Sequence, residues 1–216
     1  MSPTLAISGS NLCGDAPFSV ALQHDGETSV ANVPAGERGD LAQLCQQLCA
    51  ARGVAPAALR RVVVDVGPGS YTGLRVAVTF VRLLQQFGDL QVEGVCSLAV
   101  LARHAAPCHV GPVRTVLDAR RGRLHTAVHE LGERGVLERE AANAAPVDEV
   151  LGRIASDELL VAPAAFAQQL RDERGLACVA AVGLFAPALL ADGLPRFAAA
   201  AADLEPRYLM ASYAED

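Results

Sequence analysis

The sequence predicts an α/β protein with mixed β-sheets and flanking helices, divided between two lobes. Three observations carry that prediction. Val62-Val63-Val64 is a continuous apolar run within residues 61–66, the pattern of a strand covered on both faces in a parallel or mixed sheet. A glycine-bearing loop and a helical pattern follow at once, and strand, loop, helix, strand is the rhythm of α/β folds. Residues 107–112 carry two prolines and a glycine near the middle of a 216-residue chain, which places a joint there and gives lobes 1–106 and 107–216.

Residues 4–7 open as a strand. Phe18, Val20 and Leu22 alternate within 18–24, and Asp25-Gly26 turns the chain back into 27–33; Asp-Gly between alternating runs is a strong hairpin signal. Beyond a loop at 34–39, Leu41, Leu44, Cys45, Leu48 and Cys49 recur at helical spacing until Gly53, which is placed to cap the helix. A second helix spans 71–87 and ends at Gly88, and a strand at 91–96 and a short helix at 97–104 complete the first lobe. In the second lobe, strands 113–117 and 124–130 flank a turn at 118–123, and a loop rich in charge and alanine follows. Helices at 147–154 and 166–174 bracket a strand at 158–162, with a further strand at 177–182. The Ala/Leu-rich stretch 183–202 reads as helical pieces. The halves share a loose strand, hairpin and helix rhythm without a sequence repeat.

Composition narrows the function. Half of the residues (51%) are hydrophobic and 19% are charged, enough apolar material for a core and too little charge for disorder. Lysine is absent, and the formal net charge of -6 removes the basic footprint of a protein that grips phosphate backbones by itself. Any role near a nucleic acid is therefore expected to be indirect. No apolar stretch reaches the roughly 20 residues of a membrane span and no signal-peptide pattern opens the chain, so a cytoplasmic protein is expected. Cys13, Cys45, Cys49, Cys96, Cys108 and Cys178 form no C-x-x-C and read as reduced core thiols.

The stretch Gly67-Pro68-Gly69-Ser70-Tyr71-Thr72-Gly73-Leu74-Arg75 joins a buried strand to a helix, where backbone N–H groups point outward. Gly67, Gly69, Ser70, Thr72 and Gly73 could cradle an anion or nucleotide phosphate there, with Ser70 capping the helix. A tight connection without ligand is the other reading, since neither G-x-x-x-x-G-K-[ST] nor G-x-G-x-x-G is present in full. On the helix itself, Arg75, Thr79, Arg82 and Gln86 share a narrow stripe, leaving an apolar arc of roughly 220°. Leu74, Val76, Val78, Phe80, Val81, Leu83, Leu84 and Phe87 fill that arc, more than one sheet can cover.

At this point the sequence resembles a known family. VDVGPGSYTGLRVA at residues 64–77 is similar to the signature of the TsaB (YeaZ) family, and Gly94-Val95-Cys96-Ser97-Leu98-Ala99-Val100-Leu101-Ala102 resembles the segment that follows it there. Leu117-Asp118-Ala119-Arg120-Arg121-Gly122 is similar to the family's second-lobe turn, and Pro206-Arg207-Tyr208-Leu209 to its C-terminal motif. The resemblance implies two RNase H-like lobes of the actin-like ATPase fold. It implies a non-catalytic subunit in N6-threonylcarbamoyladenosine modification of tRNA, which pairs its first two helices with those of the catalytic subunit TsaD and works with a TsaE-like ATPase. On this reading Leu41, Leu44, Cys45 and Leu48 of the first helix and Tyr71, Leu74, Arg75, Val78, Thr79, Val81 and Arg82 of the second form the interface. Arginine at Val78 or Val81 is then expected to break the complex and spare the fold.

Family members usually open with a strand ending in Asp-Thr-Ser, and that aspartate helps handle metal and nucleotide across the wider superfamily. Ser8-Gly9-Ser10 stands here instead, with Asp15 in a different loop, which favours a scaffold over an ATPase. No intrinsic cofactor and no metal are expected, with ATP or ADP at the partner interface as the one nucleotide role. His125 and His129 share a strand face but two ligands do not make a metal site, and they read as exposed strand histidines. Two alternatives stay open: an independent ATP-dependent kinase or acyltransferase of the same superfamily, and a homodimeric binding module using the same helix face.

Overall fold

A computed structural model describes residues 2–12, 16–34, 36–37, 39–183, 185–200 and 202–210. Cys13 and Asp15 lie outside them. The chain forms two compact units, one of Met1–Cys96, Leu184–Ala191 and Arg196–Arg207, the other of Ser97–Gly183, Asp192–Pro195 and Tyr208–Asp216. Among the described residues no helix is long and apolar enough to cross a membrane.

The first unit begins with β1 (Thr4–Ser8), β2 (Ser19–His24) and β3 (Glu27–Asn32), a meander whose second turn is Asp25-Gly26, both with positive φ. Asp40 caps α1 (Leu41–Ala51), accepting from the N–H groups of Ala42 and Gln43, and Gly53 follows the helix with φ 63°. After a 3₁₀ turn at Pro56–Ala58 come β4 (Arg61–Asp65), α2 (Tyr71–Phe87) and β5 (Gln91–Val95). β1, β4 and β5 run parallel, as the valine run requires. Leu5, Val20, Leu22, Val62 and Val64 form one core with Cys45, Leu48 and Cys49 of α1 and Ala77, Val78 and Val81 of α2. Both helices therefore lie on one face of the sheet.

The second unit opens with α3 (Ser97–His104), followed by β6 (Gly111–Asp118), β7 (Arg123–Gly132), β8 (Gly135–Pro146), α4 (Val147–Gly152), β9 (Leu159–Pro163), α5 (Ala164–Arg174) and β10 (Val179–Ala181). Val116, Leu124 and Leu160 pack with Val150 of α4 and Ala167 and Leu170 of α5 on one face. The chain ends with α6 (Phe185–Ala188) and β11 (Arg196–Ala198), and β11 pairs antiparallel with β5 at an edge of the first sheet. The compact units thus depart from a simple cut after residue 106. α3 clusters with the second unit, and tail segments return to the first.

Strand order reveals the repetition that the residues conceal. The first sheet reads β11-β5-β4-β1-β2-β3 and the second β10-β9-β6-β7-β8. Without β11, both are a three-strand meander, a helix, a parallel strand beside the first, a helix, and one more parallel strand. These are the two RNase H-like lobes of the actin-like fold.

Two expectations need correction. The expected loop after β7 is β8, a twelve-residue edge strand whose exposed centre is Glu138, Arg139, Glu140 and Ala141. Those residue types have weak strand preference, and register shifts between Thr126 and His129 break the two-residue alternation. Within the expected helical pieces of 183–202, β11 is a strand anchored by Phe197. Its ring lies where a Cβ on Gly94 would come within 2.3 Å of Cζ, so a side chain at 94 would push the ring off the strand.

Candidate functional site

The signature stretch folds into a loop clasped against the end of β1. Val66 N–H donates to Val95 O at 2.9 Å, the Gly67-Pro68 peptide is cis, and Gly67 has φ 100°. Ser70 N–H donates to Ser10 O at 2.7 Å, while Ser70 Oγ accepts from Gly73 N–H at 3.2 Å and caps α2. A Cβ on Gly69 would come within 2.6 Å of Ser10, and one on Gly73 within 2.0 Å of Gly9 O. Glycine is needed at both places because backbone meets backbone.

Of the residues expected to cradle an anion, Gly67, Gly69, Ser70 and Gly73 are therefore spent on packing and capping. Thr72 alone stands exposed on the helix. The loop's geometry is that of the tight connection, and its effect is to fix where α2 starts. The tail adds to this clasp: Arg207 N–H donates to Val66 O at 2.6 Å, and its guanidinium lies 5.3 Å from the centre of the Phe197 ring.

Asp65 is the residue that sequence reasoning missed. It ends β4, is fully buried, and accepts from Ser8 Oγ at 2.7 Å and from Gly9 N–H at 3.1 Å. Burial raises its pKa above the ordinary carboxylate range, opposed by the hydrogen bonds from Ser10, Ser8 and Gly9. The expectation that no carboxylate stands at the Ser8-Gly9-Ser10 turn is thereby corrected. A strand rich in valine that ends in aspartate just before Gly-Pro-Gly was the available signal. Among the described residues no group of three or more His, Cys, Asp or Glu is arranged to hold a metal ion.

α2 divides the predicted interface in two. Leu74, Val78 and Val81 are buried, as are Leu41, Cys45 and Leu48 of α1, with Leu44 partly so. These seven side chains face inward, and their assignment to an external surface is corrected. Tyr71, Arg75, Thr79 and Arg82 do face outward. Beside them lie apolar residues that the described residues leave partly or largely exposed: Val76 is 41% exposed, Leu83 49% and Phe87 85%. At 100° per residue these three fall within about 40° of one another, bordered by Thr72 and Thr79 and then by Gln86, Arg75 and Arg82. The outer face of α1 is uncharged, with Ala42, Gln43, Gln46, Gln47 and Ala50 exposed.

The remaining candidates separate by burial. His129 is fully buried and His125 partly, against the expectation of exposed histidines. Cys45, Cys49, Cys96 and Cys178 are buried thiols outside any disulfide, whereas Cys108 is exposed and departs from the core reading. Burial pushes the Cys45 thiol up to about 12, with Cys49 and Asp40 adding to the effect, which leaves it an inert apolar side chain.

Comparison with known proteins agrees with this geometry. The family model described as "TsaD: tRNA N6-adenosine threonylcarbamoyltransferase" matches residues 38–173, well over half of the chain. The Bacillus subtilis (strain 168) tRNA threonylcarbamoyladenosine biosynthesis protein TsaB is 37% identical over 86 residues, a stretch spanning 40% of this chain and 37% of that protein's length. A Pseudomonas aeruginosa structure described as an uncharacterised protein with similarity to peptidase YeaZ superposes with a TM-score of 0.75 at 23% identity, covering 97% of this chain and 100% of that one. YeaZ from Pseudomonas aeruginosa gives a TM-score of 0.70 at 24% identity over 88% of this chain and 89% of its own. The chain therefore belongs to the TsaD family, and its doubled sheets are the fold of TsaB/YeaZ proteins in the actin-like superfamily.

Proposed function

We propose that the chain is a TsaB-type tRNA threonylcarbamoyladenosine biosynthesis protein, serving as a non-catalytic partner that docks a TsaD-like threonylcarbamoyltransferase through α1 and the outer face of α2. A TsaE-like ATPase joins that complex, tRNA is contacted through the partner, and any ATP or ADP is held at the shared interface. The observation that carries the reading is the exposed apolar stripe of Val76, Leu83 and Phe87, with the neutral outer face of α1 on the neighbouring helix. Two adjacent helices with such a face are half of a four-helix packing. Burying what remains exposed contributes about 1.5 to 3 kcal/mol for Phe87 and roughly half that for each of Val76 and Leu83, enough to matter against the cost of association. The loop supports a supporting role as well, because its glycines and Ser70 hold the helix in place.

The test mixes the chain with the TsaD-like subunit of its own source and measures the mass of the complex by light scattering. A one-to-one or larger hetero-complex that Leu83→Arg disrupts is expected, with loss of the modified nucleoside when that variant replaces the parent in cells. Turnover of Mg-ATP by the lone chain would favour the kinase or acyltransferase alternative. A stable homodimer that excludes the TsaD-like subunit would favour the binding module.

A further inference from the structure

The second unit holds a cleft that the docking role leaves unused. Its volume is about 420 Å³, and it lies between the β6–β7 turn, the start of α4 and one side of α5. The size is that of a small-molecule site. Its floor is apolar, made by Leu124, Val147, Phe166 and Leu170. Three arginines line its wall, Arg120 and Arg121 on the turn and Arg174 in the last helical turn of α5, where Arg174 Nη1 donates to Asp148 Oδ1 at 2.8 Å. Asp118 and Glu173 are the acidic residues of the lining, and Asp118 Oδ1 is already engaged by the Arg120 N–H at 2.7 Å.

The backbone of the turn is the independent observation. Arg120 has φ 64°, Arg121 φ 52° and Gly122 φ 68°, so two arginines in succession sit in the left-handed region that disfavours side chains. The conformation is over-determined: Ala119 N–H donates to Arg123 O and Arg123 N–H to Arg120 O, while Val147 N–H donates to Gly122 O, each at 3.0 Å. Glycine would satisfy every one of those bonds without strain. Strain kept where a smaller residue would fold more easily points to a use for the side chains. Both arginines are exposed at the cleft wall, so anion capture is the use that their chemistry fits.

We propose that this cleft binds a small aromatic acid, its flat body against Phe166 and Leu170 and its phosphate or carboxylate held by Arg120, Arg121 and Arg174. The site is independent of α2. Its test is titration of the isotope-labelled full chain with 1-naphthyl phosphate and 1-naphthoate, with inorganic phosphate and 1-naphthol as partial probes, followed through amide shifts. Shifts confined to residues 118–124 and 166–174 are expected, with each partial probe binding at least tenfold weaker than the better acid. A stronger response to the phosphate assigns phosphate monoesters and a stronger response to naphthoate assigns carboxylates; either supports the site. The variant with Arg120→Gly and Arg121→Gly is expected to melt no lower than the parent and to lose at least tenfold in affinity. Arg174→Gln, on the helix, is expected to weaken binding without touching the turn. The proposal is overturned if neither acid shifts the cleft residues, if inorganic phosphate binds as tightly as the aryl phosphate, or if the glycine variant binds like the parent.

Discussion

The backbone of Gly9 at the end of β1 meets that of Gly73 in the first turn of α2 so closely that a Cβ on Gly73 would stand 2.0 Å from the Gly9 carbonyl oxygen. Helix and strand are thus set against each other with no side chain between them. Gly73→Ala tests the contact cleanly, because alanine in a helix is otherwise favoured by about 1 kcal/mol over glycine. The contact predicts the opposite sign: a loss of roughly 1 to 3 kcal/mol, the cost of overpacking, in chemical denaturation. A stability gain would show that the close approach does not position the helix.

The two sides of α2 predict opposite outcomes for one substitution. Val81 is fully buried in the first core, so Val81→Arg is expected to destabilise the isolated chain by roughly 4 kcal/mol or more, through an unpaired buried charge. Leu83 faces outward, so Leu83→Arg is expected to stay within about 0.5 kcal/mol of the parent while removing the hetero-complex. Thermal melts and light scattering on the same two samples separate the effects. Equal damage to both folds would mean that Leu83 serves the chain itself.

Asp65 predicts an inverted pH dependence. Its folded pKa lies above the unfolded carboxylate value because of burial, so the native state binds the extra proton in that window. The stability it contributes is present below the unfolded value and falls as pH rises through the folded one. Asp65→Asn removes this response and places an amide NH₂ near the donors of Ser8 and Gly9. The variant is expected to be less stable than the parent by roughly 1 to 3 kcal/mol at neutral pH. That deficit should widen as pH falls toward about 4. A deficit that shrinks on acidification would contradict a raised pKa.

Much of the first lobe could be read from its residues because local signals and tertiary needs agree there. Asp25-Gly26 turns the hairpin, Val62-Val63-Val64 lies in the parallel centre of the sheet, and Tyr71–Phe87 is helical over the span its pattern suggests. What resisted reading depended on neighbours. Periodicity marks Val78, Val81, Val76 and Leu83 alike as apolar, and only the position of the sheet decides that the first two turn inward. β8 lies on an edge with bulges, so its alanines and glutamates carry no alternation to find. β11 is three residues long and exists because β5 offers it an edge and Gly94 a floor for Phe197. The histidine pair was legible as sharing a face, but which face was covered was not.

That covered face makes His129 an acid-sensitive element of the fold. Its side chain is fully buried and neither ring nitrogen has a hydrogen-bond partner, with Val113 of β6 and Glu138 of β8 as its cross-strand neighbours. Burial lowers its pKa to about 4 from the ordinary 6.5. The unfolded chain therefore takes up a proton that the folded chain refuses between those values. Stability from this group is complete above about 6.5 and declines as pH falls toward about 4, by roughly 3 kcal/mol across the window. Leucine at this place would remove two unsatisfied polar atoms at little change in volume. His129→Leu is expected to match or exceed the parent at pH 7 and to exceed it increasingly as pH falls to about 4. Denaturation of both proteins across that range measures the difference directly, with the remaining titratable groups cancelling between them. A constant offset between the two curves would mean that His129 keeps an ordinary pKa and has a polar partner in solution.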